Sequence, residues 1–362
     1  IRTNDMVARV GGDEFIVVLS DISSYLFIER VCAKILKLAN QPFHINNTSF
    51  NMGVSIGVAI YPNDADSLKT LINNADAAMY HAKSKGKNHF EFFSDEMTKK
   101  LDTQTKMENR LLKAIKDDEF IIHFQPEINL KTNEVFALEV LTRWNKDNNE
   151  LLMPEDFISN LDNTNNIIEF EKLILKKACL QLKQWHNNKI YEGIISVNIS
   201  GKHLEHGNLY NSIKHTLKIS NLDAKYLELE FSESDVMKIS TKTLFTLNNL
   251  SLLGIGLSID NFGKGFSSFN YLRECSISKL KIDKSYIDSL IQEDSDEDIV
   301  KSIIDLGINM GLSVIAEGIE VPIQDEIIKK NSCTKVQGYF YAKPMNTIEF
   351  EDWYKSFKQL KY

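Results

Sequence analysis

The sequence predicts an α/β protein in which a (β/α)8 TIM-like barrel follows a smaller α+β domain. Three observations lead to this expectation. After residue 120, eight short strand-like runs stand out, and helical patterns separate most of them. The region they occupy, about 120–360, suits the roughly 250 residues typical of such barrels. Every run also brings a polar side chain to one end. A doubly wound parallel sheet is the alternative that the same pattern allows.

Composition limits the classes of function. The chain has 362 residues, enough for two domains with their own cores, and its 43% hydrophobic and 25% charged residues are ordinary for a soluble globular protein. A formal net charge of −8 argues against a broad contact with nucleic acid, so we expect no DNA partner. An anionic substrate would therefore need local cations or bound metals.

Cellular location is predicted from the cysteines and the hydropathy. The four cysteines are scattered and form no CxxC pair, which favours a reducing cytoplasm. No apolar run approaches the ~18 residues of a membrane span. Because the chain begins with Ile1 inside a motif, we interpret it as a fragment, and an upstream sensor or membrane region stays open.

The first part of the chain predicts short strands and two helices. Residues 7–19, "VARVGGDEFIVVL", are two β-rich runs around a Gly-Gly-Asp-Glu turn, which is a hairpin signal. Asp66 is a candidate N-cap of a helix that reaches Lys85. The other predicted elements are a helix at 24–40, a strand region at 50–61 and a strand at 89–93.

A polar stretch with spaced apolar residues at 95–117 predicts an amphipathic helix. We therefore predict a first domain at 1–94, a linking helix at 95–117 and a barrel domain at 118–362. Helices are expected at 168–186, 202–218, 296–310 and 345–359. The eight strand-like runs are "IIHFQP", "FALEVL", "IISVNI", "YLELEF", "IGLSID", "SKLKID", "LSVIAE" and "KVQGYF".

Polar residues at the strand ends form the candidate site. Active sites of (β/α)8 enzymes lie at the C-terminal mouth and take residues from several strands. A single acid at a strand end is more often a helix cap or a surface pair, but the coincidence over eight runs favours a site. The residues are Gln125, Glu139, Asn198, Glu230, Asp260, Lys281, Asp283, Glu317 and Gln337.

The chemistry of this set points to metal-assisted phosphodiester hydrolysis. Converging carboxylates raise one another's pKa values, and hard cations such as Mg²⁺ or Mn²⁺ relieve the repulsion. The ring has no His or Cys, which disfavours zinc. Lys281 and Arg143 supply positive charge for a phosphate. Two cations about 3.5–4 Å apart would activate water and stabilise the leaving oxygen. The candidate oxygen ligands are Glu139, Asn198, Glu230 and Asp260.

The stretch "HFQPEINLKTNEVFALEVLTRW" resembles the opening of EAL-domain cyclic di-GMP phosphodiesterases. The name-giving triplet stands here as Glu139-Val140-Leu141, a variant, and Arg143-Trp144 follows. The resemblance covers about 105–360 and implies an EAL-type barrel that hydrolyses cyclic di-GMP to linear pGpG with one or two Mg²⁺ or Mn²⁺ ions. Its further motifs, in order, are "SVNIS", "LELEFSES", "SIDNFGKGFSS", "KLKIDKS", "VIAEGIE" and "VQGYFYAKPM".

The resemblance also implies a role for each matching residue. Metal ligands are Glu139, Asn198, Glu230 and Asp260, with position 261, here Asn261, as a ligand of the second metal. Lys281 and Glu317 would order or activate the water, and Gln337 would support the water network. Gln125 and Arg143 would contact substrate, Glu233 would brace the loop at 260–268, and Glu320 would give secondary support.

The first part resembles the C-terminal half of a GGDEF diguanylate cyclase domain. "ARVGGDEF" carries the signature, and Arg2 and Asp5 match the RxxD inhibitory site of that family. The resemblance implies that Asp13 and Glu14 handle metal and the attacking 3′-hydroxyl. Because the upstream half is not in this chain, we predict that the chain makes no cyclic di-GMP from GTP. The signature residues are Gly11, Gly12, Asp13, Glu14 and Phe15.

Two alternatives stay open. Asn261 brings no negative charge, and Lys264 stands where the family usually has Thr, so the chain could bind cyclic di-GMP without cutting it. Lys264 would then partly replace the charge of a second metal or contact a substrate phosphate. In the other alternative the longer protein is bifunctional. Its GGDEF domain makes cyclic di-GMP or senses GTP, and the linking helix carries the signal in a homodimer.

Overall fold

The computed structural model describes most of residues 2–359, and contacts divide the chain into two compact units, Ile1–Met107 and Glu108–Tyr362. The end of the predicted glycine loop, including Gly265, lies outside the described residues. Within the range 2–359, the residues not described are 3, 23, 46–47, 51, 87, 148–149, 163–165, 207, 238–239, 265–269 and 292–295.

The first unit contains short strands and two helices, and a third helix continues into the second unit. Antiparallel pairs form between β1 and β2 and between β3 and β4, and β5 pairs with β6 in parallel. The elements are β1 (Met6–Gly11), β2 (Glu14–Val18), α1 (Tyr25–Ala39), β3 (Phe43–Ile45), β4 (Thr48–Phe50), β5 (Ile56–Val58), α2 (Leu68–Ser84), β6 (Phe90–Phe92) and α3 (Asp95–Lys116).

The hairpin predicted from the Gly-Gly-Asp-Glu turn is confirmed, since β1 and β2 pair antiparallel on either side of it. Gly12 has a φ of 51°, a conformation that glycine adopts without strain. Two expectations were wrong. The second helix is capped by Ser67 rather than Asp66, because the Ser67 hydroxyl accepts a hydrogen bond from Thr70 N at 3.2 Å. Within the strand region expected at 50–61, the described residues form β5 and only the last residue of β4.

The second unit alternates strands and helices. It comprises β7 (Phe120–Asn129), β8 (Glu134–Lys146), β9 (Glu150–Leu152), α4 (Pro154–Asp162), α5 (Asn166–Asn187), β10 (Ile194–Asn198), α6 (Gly201–His206), α7 (Leu209–Ser220), a 3-10 turn (Ala224–Tyr226), β11 (Leu227–Ser232), α8 (Glu233–Val236), α9 (Thr241–Leu252), β12 (Gly256–Phe262), α10 (Asn270–Glu274), β13 (Lys279–Ile282), α11 (Lys284–Ser289), α12 (Glu297–Asn309), β14 (Ser313–Ala316), α13 (Pro322–Lys330), β15 (Lys335–Val336) and α14 (Thr347–Gln359).

The strands of this unit close into a ring, which confirms the barrel and rejects the doubly wound sheet. The order runs from β8 through β10, β11, β12, β13, β14, β15 and β7 back to β8. A (β/α)8 barrel implies parallel strands throughout, and the structure departs from this at one strand, since β7 is antiparallel to both neighbours. A turn near Asn133, which has a φ of 50°, joins β7 to β8, and a connection this short permits only an antiparallel pair.

The helical layer packs on the outside of the barrel through aromatic side chains. Phe350 of α14 lies with its ring centroid 4.9 Å from that of Trp185 and is fully buried. Trp185 in turn lies 4.7 Å from Phe124 of β7. This aromatic packing holds the β7 end of the ring against the last helix.

The single helix expected at 202–218 is instead two helices, α6 and α7.

We predict that Phe350→Ala lowers the free energy of unfolding by about 3–5 kcal/mol, because it removes a buried ring and leaves a cavity. The matched control is Phe245→Ala on α9, whose side chain is 69% exposed and whose loss should cost less than about 0.5 kcal/mol. Urea unfolding followed by tryptophan fluorescence measures both, because the three tryptophans lie in the second unit. Equal effects of the two substitutions would contradict the packing role.

Candidate active site

Lys281 lies at the centre of the candidate site. It is fully buried on β13, and its Nζ is 2.9 Å from Glu139 Oε2, 3.0 Å from Glu230 Oε2 and 2.6 Å from Glu317 Oε1. Burial opposes the positive charge, but the surrounding carboxylates outweigh it and raise the pKa of Lys281. The ammonium therefore stays charged and joins carboxylates from three other strand ends.

Glu139 accepts hydrogen bonds from two side-chain amides in addition to its contact with Lys281. Asn198 Nδ2 donates to Oε1 at 3.0 Å, and Gln337 Nε2 donates to Oε2 at 2.7 Å. Burial acts to raise its pKa, but Lys281 and these donors lower it. Gln337 Nε2 also lies 3.2 Å from Gln125 Oε1, so the antiparallel strand β7 contributes to the same network.

The other three acids at the mouth differ from Glu139, because their pKa values are raised. Burial raises the pKa values of Glu230, Asp260 and Glu317, and the neighbouring negative charges raise them further. The positive charge of Lys281 lowers these three pKa values, but by less than burial and the negative charges raise them. With Glu139 included, four carboxylates face one ammonium, which leaves a formal charge of −3. Protons or cations must compensate this charge.

The residues fit a divalent cation. Glu230 Oε1 is buried and has no hydrogen-bond partner among the described residues, although Oε2 of the same group contacts Lys281. Free carboxylate and amide oxygens are the ligands that Mg²⁺ and Mn²⁺ prefer. Glu139, Asn198, Glu230 and Asp260 would hold such an ion, and EAL proteins as a family use divalent metals.

A second group of acids lies deeper in the barrel. Carboxylate oxygens of Glu127, Glu228 and Glu230 come within 4.8 Å of one another, which is compatible with a metal site. Lys279 Nζ lies 2.6 Å from Glu127 Oε2 and 2.5 Å from Glu228 Oε1. An ammonium ion of the chain itself thus already contacts two of these three carboxylates.

The loop after β12 is held by contacts within the protein. Asn261, with a φ of 56°, donates from its backbone N and its Nδ2 to the two oxygens of Asp260, each at 2.7 Å. Glu233 Oε2 accepts from Gly263 N at 3.0 Å, and Tyr286 Oη donates to the Gly263 carbonyl oxygen. The positive φ is one that asparagine tolerates.

Three predicted substrate residues have partners of their own. Lys264 Nζ lies 2.7 Å from Asp283 Oδ2, and Glu320 Oε1 lies 2.6 Å from Lys284 Nζ. Arg143 is buried on β8, and its Nη1 donates to the Thr142 carbonyl oxygen at 2.8 Å. The substrate roles of Lys264, Glu320 and Arg143 stay predictions.

The signature of the first unit lies in its first hairpin. Gly11 ends β1, Gly12 and Asp13 form the turn, and Glu14 and Phe15 begin β2. In the predicted inhibitory site, Asp5 Oδ2 accepts from Arg2 N at 2.5 Å, a hydrogen bond that lowers the pKa of Asp5. The Arg2 guanidinium lies 3.9 Å from the centroid of the Phe27 ring.

Sequence reasoning missed the deeper layer of the barrel. Glu228 and Lys279 precede Glu230 and Lys281 by two positions on the same strands, and Glu127 follows Gln125 by two. Side chains two apart on a strand point to the same face. The spacing of two residues therefore predicts the deeper layer, although its residues do not lie at the strand ends.

Comparison with known proteins agrees with this geometry. The description "EAL domain" matches residues 108–344, more than half of the chain, and "Diguanylate cyclase, GGDEF domain" matches residues 1–89. A closed barrel with an acid-rich mouth defines the class as a TIM-like barrel with a candidate phosphodiesterase centre. The chain belongs to the EAL domain family, and part of a GGDEF domain precedes the barrel.

Two curated relatives illustrate the similarity. The bifunctional diguanylate cyclase/cyclic di-GMP phosphodiesterase MucR of Pseudomonas aeruginosa is 33% identical over 345 residues, 95% of this chain and 50% of that protein. Signaling protein YkoW of Bacillus subtilis is 36% identical over 352 residues, 97% of this chain and 44% of that protein. The chain thus spans about half the length of these curated relatives or less.

A solved structure, the PaMucR phosphodiesterase in a c-di-GMP complex, is 31% identical with a TM-score of 0.65. The match covers 68% of this chain and 99% of that one. No helix among the described residues has both the length and the apolar character that crossing a membrane requires.

We predict that Glu317→Gln reduces how steeply the free energy of unfolding falls with rising pH in chelator-treated protein. The folded state raises the pKa of Glu317, so it keeps a proton that the unfolded chain releases. The stabilisation is present at low pH and is lost as pH rises through the raised folded pKa. The difference in free energy of unfolding between wild type and Glu317→Gln should therefore shrink as pH rises from about 4.5, the ordinary pKa of a glutamate, through the raised pKa of the folded state.

Urea unfolding at several pH values, followed by tryptophan fluorescence, measures this difference. His123 and His186, whose pKa values burial lowers, contribute an opposite slope equally to both proteins and cancel in it. Glu326→Gln, at an exposed position on α13, is the matched control and should leave the slope unchanged. A difference independent of pH would contradict the raised pKa.

Proposed function

We propose that the barrel hydrolyses cyclic di-GMP to linear pGpG in a reaction that depends on Mg²⁺ or Mn²⁺. The observation that carries this proposal is the mouth itself, where four carboxylates face the single ammonium of Lys281. One divalent cation would reduce the formal charge from −3 to −1, and two would reverse it to +1. A centre of reversed charge attracts a phosphodiester anion.

The residues divide the chemistry between them. A divalent cation supplies Lewis-acid polarisation of the phosphoryl group and increases the acidity of water. Glu317, whose pKa burial raises well above the ordinary value of a glutamate, suits a group that takes a proton from the attacking water. Lys281, 2.6 Å from Glu317 Oε1, orients that carboxylate and stabilises developing negative charge. The buried guanidinium of Arg143 would bind a phosphate oxygen.

The relatives support the same substrate. MucR is named as a cyclic di-GMP phosphodiesterase, and PaMucR was solved in a c-di-GMP complex. The predicted substrate contacts also lie beside the predicted ligands, since Gln337 bridges Gln125 and Glu139. Cyclic di-GMP as the substrate of this chain is therefore the proposal that joins the mouth chemistry to the family.

A second candidate function is binding of cyclic di-GMP without hydrolysis. Asn261 favours it, because its amide donates to Asp260 Oδ2 at 2.7 Å and adds no negative charge. An amide proton on that oxygen competes with a cation for the same position. Hydrolysis remains the leading proposal because Lys281 and Glu317 are both present and in contact.

For the longer protein we propose that the GGDEF part regulates the barrel. The proposal keeps domains at 1–94 and 118–362, with α3 as the link, and it includes a homodimer and GTP as a ligand of the complete GGDEF domain. MucR, named as bifunctional, supports such an arrangement. We also propose a cytoplasmic location for the two domains.

We predict conversion of cyclic di-GMP to pGpG with Mg²⁺ or Mn²⁺, and a loss of about 10²–10⁴-fold in kcat in Glu317→Gln, because the variant removes the proton acceptor. Chromatographic quantification of pGpG over a range of both metals measures it. Glu326→Gln should equal wild type. Absence of turnover with either metal, while cyclic di-GMP still binds, would favour the second candidate.

We predict that Asn261→Asp combined with Lys264→Thr lowers the cation concentration for half-maximal turnover by about tenfold or more, equivalent to about 1.4 kcal/mol. The pair of changes makes the loop two charge units more negative and frees Asp260 from the amide proton. Asn261→Asp alone separates this effect from loss of the Lys264–Asp283 pair.

The control for this experiment is Asn221→Asp. Asn221 is exposed, has a φ of 54° like Asn261, and precedes β11, at the end of the barrel where the parallel strands begin. The Asn221→Asp substitution adds the same charge as Asn261→Asp, in a similar backbone conformation, but away from the mouth. Unchanged metal dependence in the double variant would refute the role assigned to Asn261 and Lys264.

A further inference from the structure

A buried ion-pair group lies beneath the mouth and takes no part in the chemistry proposed above. Lys279 Nζ contacts Glu127 Oε2 at 2.6 Å and Glu228 Oε1 at 2.5 Å, and all three residues are buried. Ser196 Oγ donates to Glu228 Oε1 at 2.9 Å. Lys279 and Lys281 lie two positions apart on β13, so they form two successive layers of the barrel interior.

The deeper group has little freedom to rearrange. Gly256 packs against Glu228 so closely that a Cβ there would lie 3.1 Å from Glu228 Cγ. Water cannot easily replace a partner in such an interior, and removing one charge from a buried pair is strongly unfavourable. Lys279 is therefore the lysine whose ammonium directly contacts both Glu127 and Glu228.

Glu127 competes with the mouth for Lys281. Its Oε1 lies 3.8 Å from Lys281 Nζ and has no hydrogen-bond partner among the described residues. The mouth carboxylates hold the same Nζ at 2.6–3.0 Å. If Glu127 lost the ammonium of Lys279, attraction to Lys281 would increase, because Coulomb energy is large in a medium of low dielectric constant.

We propose that Lys279 is a positioning residue, whose ammonium compensates Glu127 and Glu228 and so keeps Lys281 at the mouth. Its second effect is on metal selectivity. Glu127, Glu228 and Glu230 lie within 4.8 Å of one another, and the ammonium prevents them from taking up a divalent cation in the wrong layer. The inference rests on the proposed function for its kinetic consequence but not for its effect on metal binding.

The test is a double-mutant cycle of wild type, Lys279→Met, Glu127→Gln and Glu127→Gln/Lys279→Met. Methionine retains most of the volume of lysine without the charge. We expect Lys279→Met to lower kcat by about 10–100-fold, the usual range for a residue that acts through another, with little change in KM. Glu127→Gln should stay within about threefold of wild type, and the double variant should recover most of the loss, since the competitor for Lys281 is gone.

Mn²⁺ titration by electron paramagnetic resonance provides a readout that does not depend on turnover. Lys279→Met should bind more Mn²⁺ per chain than wild type, and the double variant should return to the wild-type value. Lys172→Met is the matched control, because Lys172 of α5 also pairs with a carboxylate, Glu169 Oε1 at 2.7 Å, but both side chains are exposed to solvent. It should change neither readout.

Each result decides the proposal. Recovery in the double variant supports it, whereas additive losses indicate a merely structural role and overturn it. If Lys279→Met is insoluble, a soluble double variant with wild-type Mn²⁺ binding supports the proposal. An insoluble double variant overturns it. If wild type has no turnover, the proposed hydrolysis fails, and the Mn²⁺ comparison alone decides the role of Lys279.

Discussion

The excess of negative charge inside a closed barrel is the constraint on which the rest of the second unit depends. Two interior lysines, Lys279 and Lys281, face six carboxylates that lie on, or directly after, five different strands. In an interior of low dielectric constant, such a set is stable only if each charge is paired, protonated or bound to a cation. Burial and the neighbouring carboxylates raise the pKa values of Glu230 and Glu317, which favours their protonated forms.

The same constraint connects stability with function. Protons that relieve the repulsion must leave when a divalent cation is bound, because the cation and the proton compete for the same carboxylate oxygens. The deeper layer differs, since Lys279 is a permanent cation that cannot exchange. The barrel thus separates a layer in which Lys279 pairs with the carboxylates from a mouth whose excess negative charge the proposed cation would compensate.

The sequence predicted the barrel well because its strands are short, rich in β-forming residues and regularly separated by helical patterns. The orientation of β7 was not predictable from that pattern, because a run of alternating residues looks the same in a parallel and an antiparallel strand. The turn near Asn133 decides it, and its length was the available signal. The cap at Ser67 instead depends on a local hydrogen bond, and α7 begins after Asn208, whose φ of 51° is not helical.

What the sequence by itself determined was the set of chemical groups at the strand ends and, through ordered motifs, their family. Tertiary structure alone decided which groups touch. Glu127 and Lys279 are 152 positions apart and Lys281 and Glu139 are 142 apart, and only closure of the ring brings them into contact. The physical reason is that periodicity records which face a side chain occupies, whereas pairing depends on distances across the barrel, which no local pattern contains.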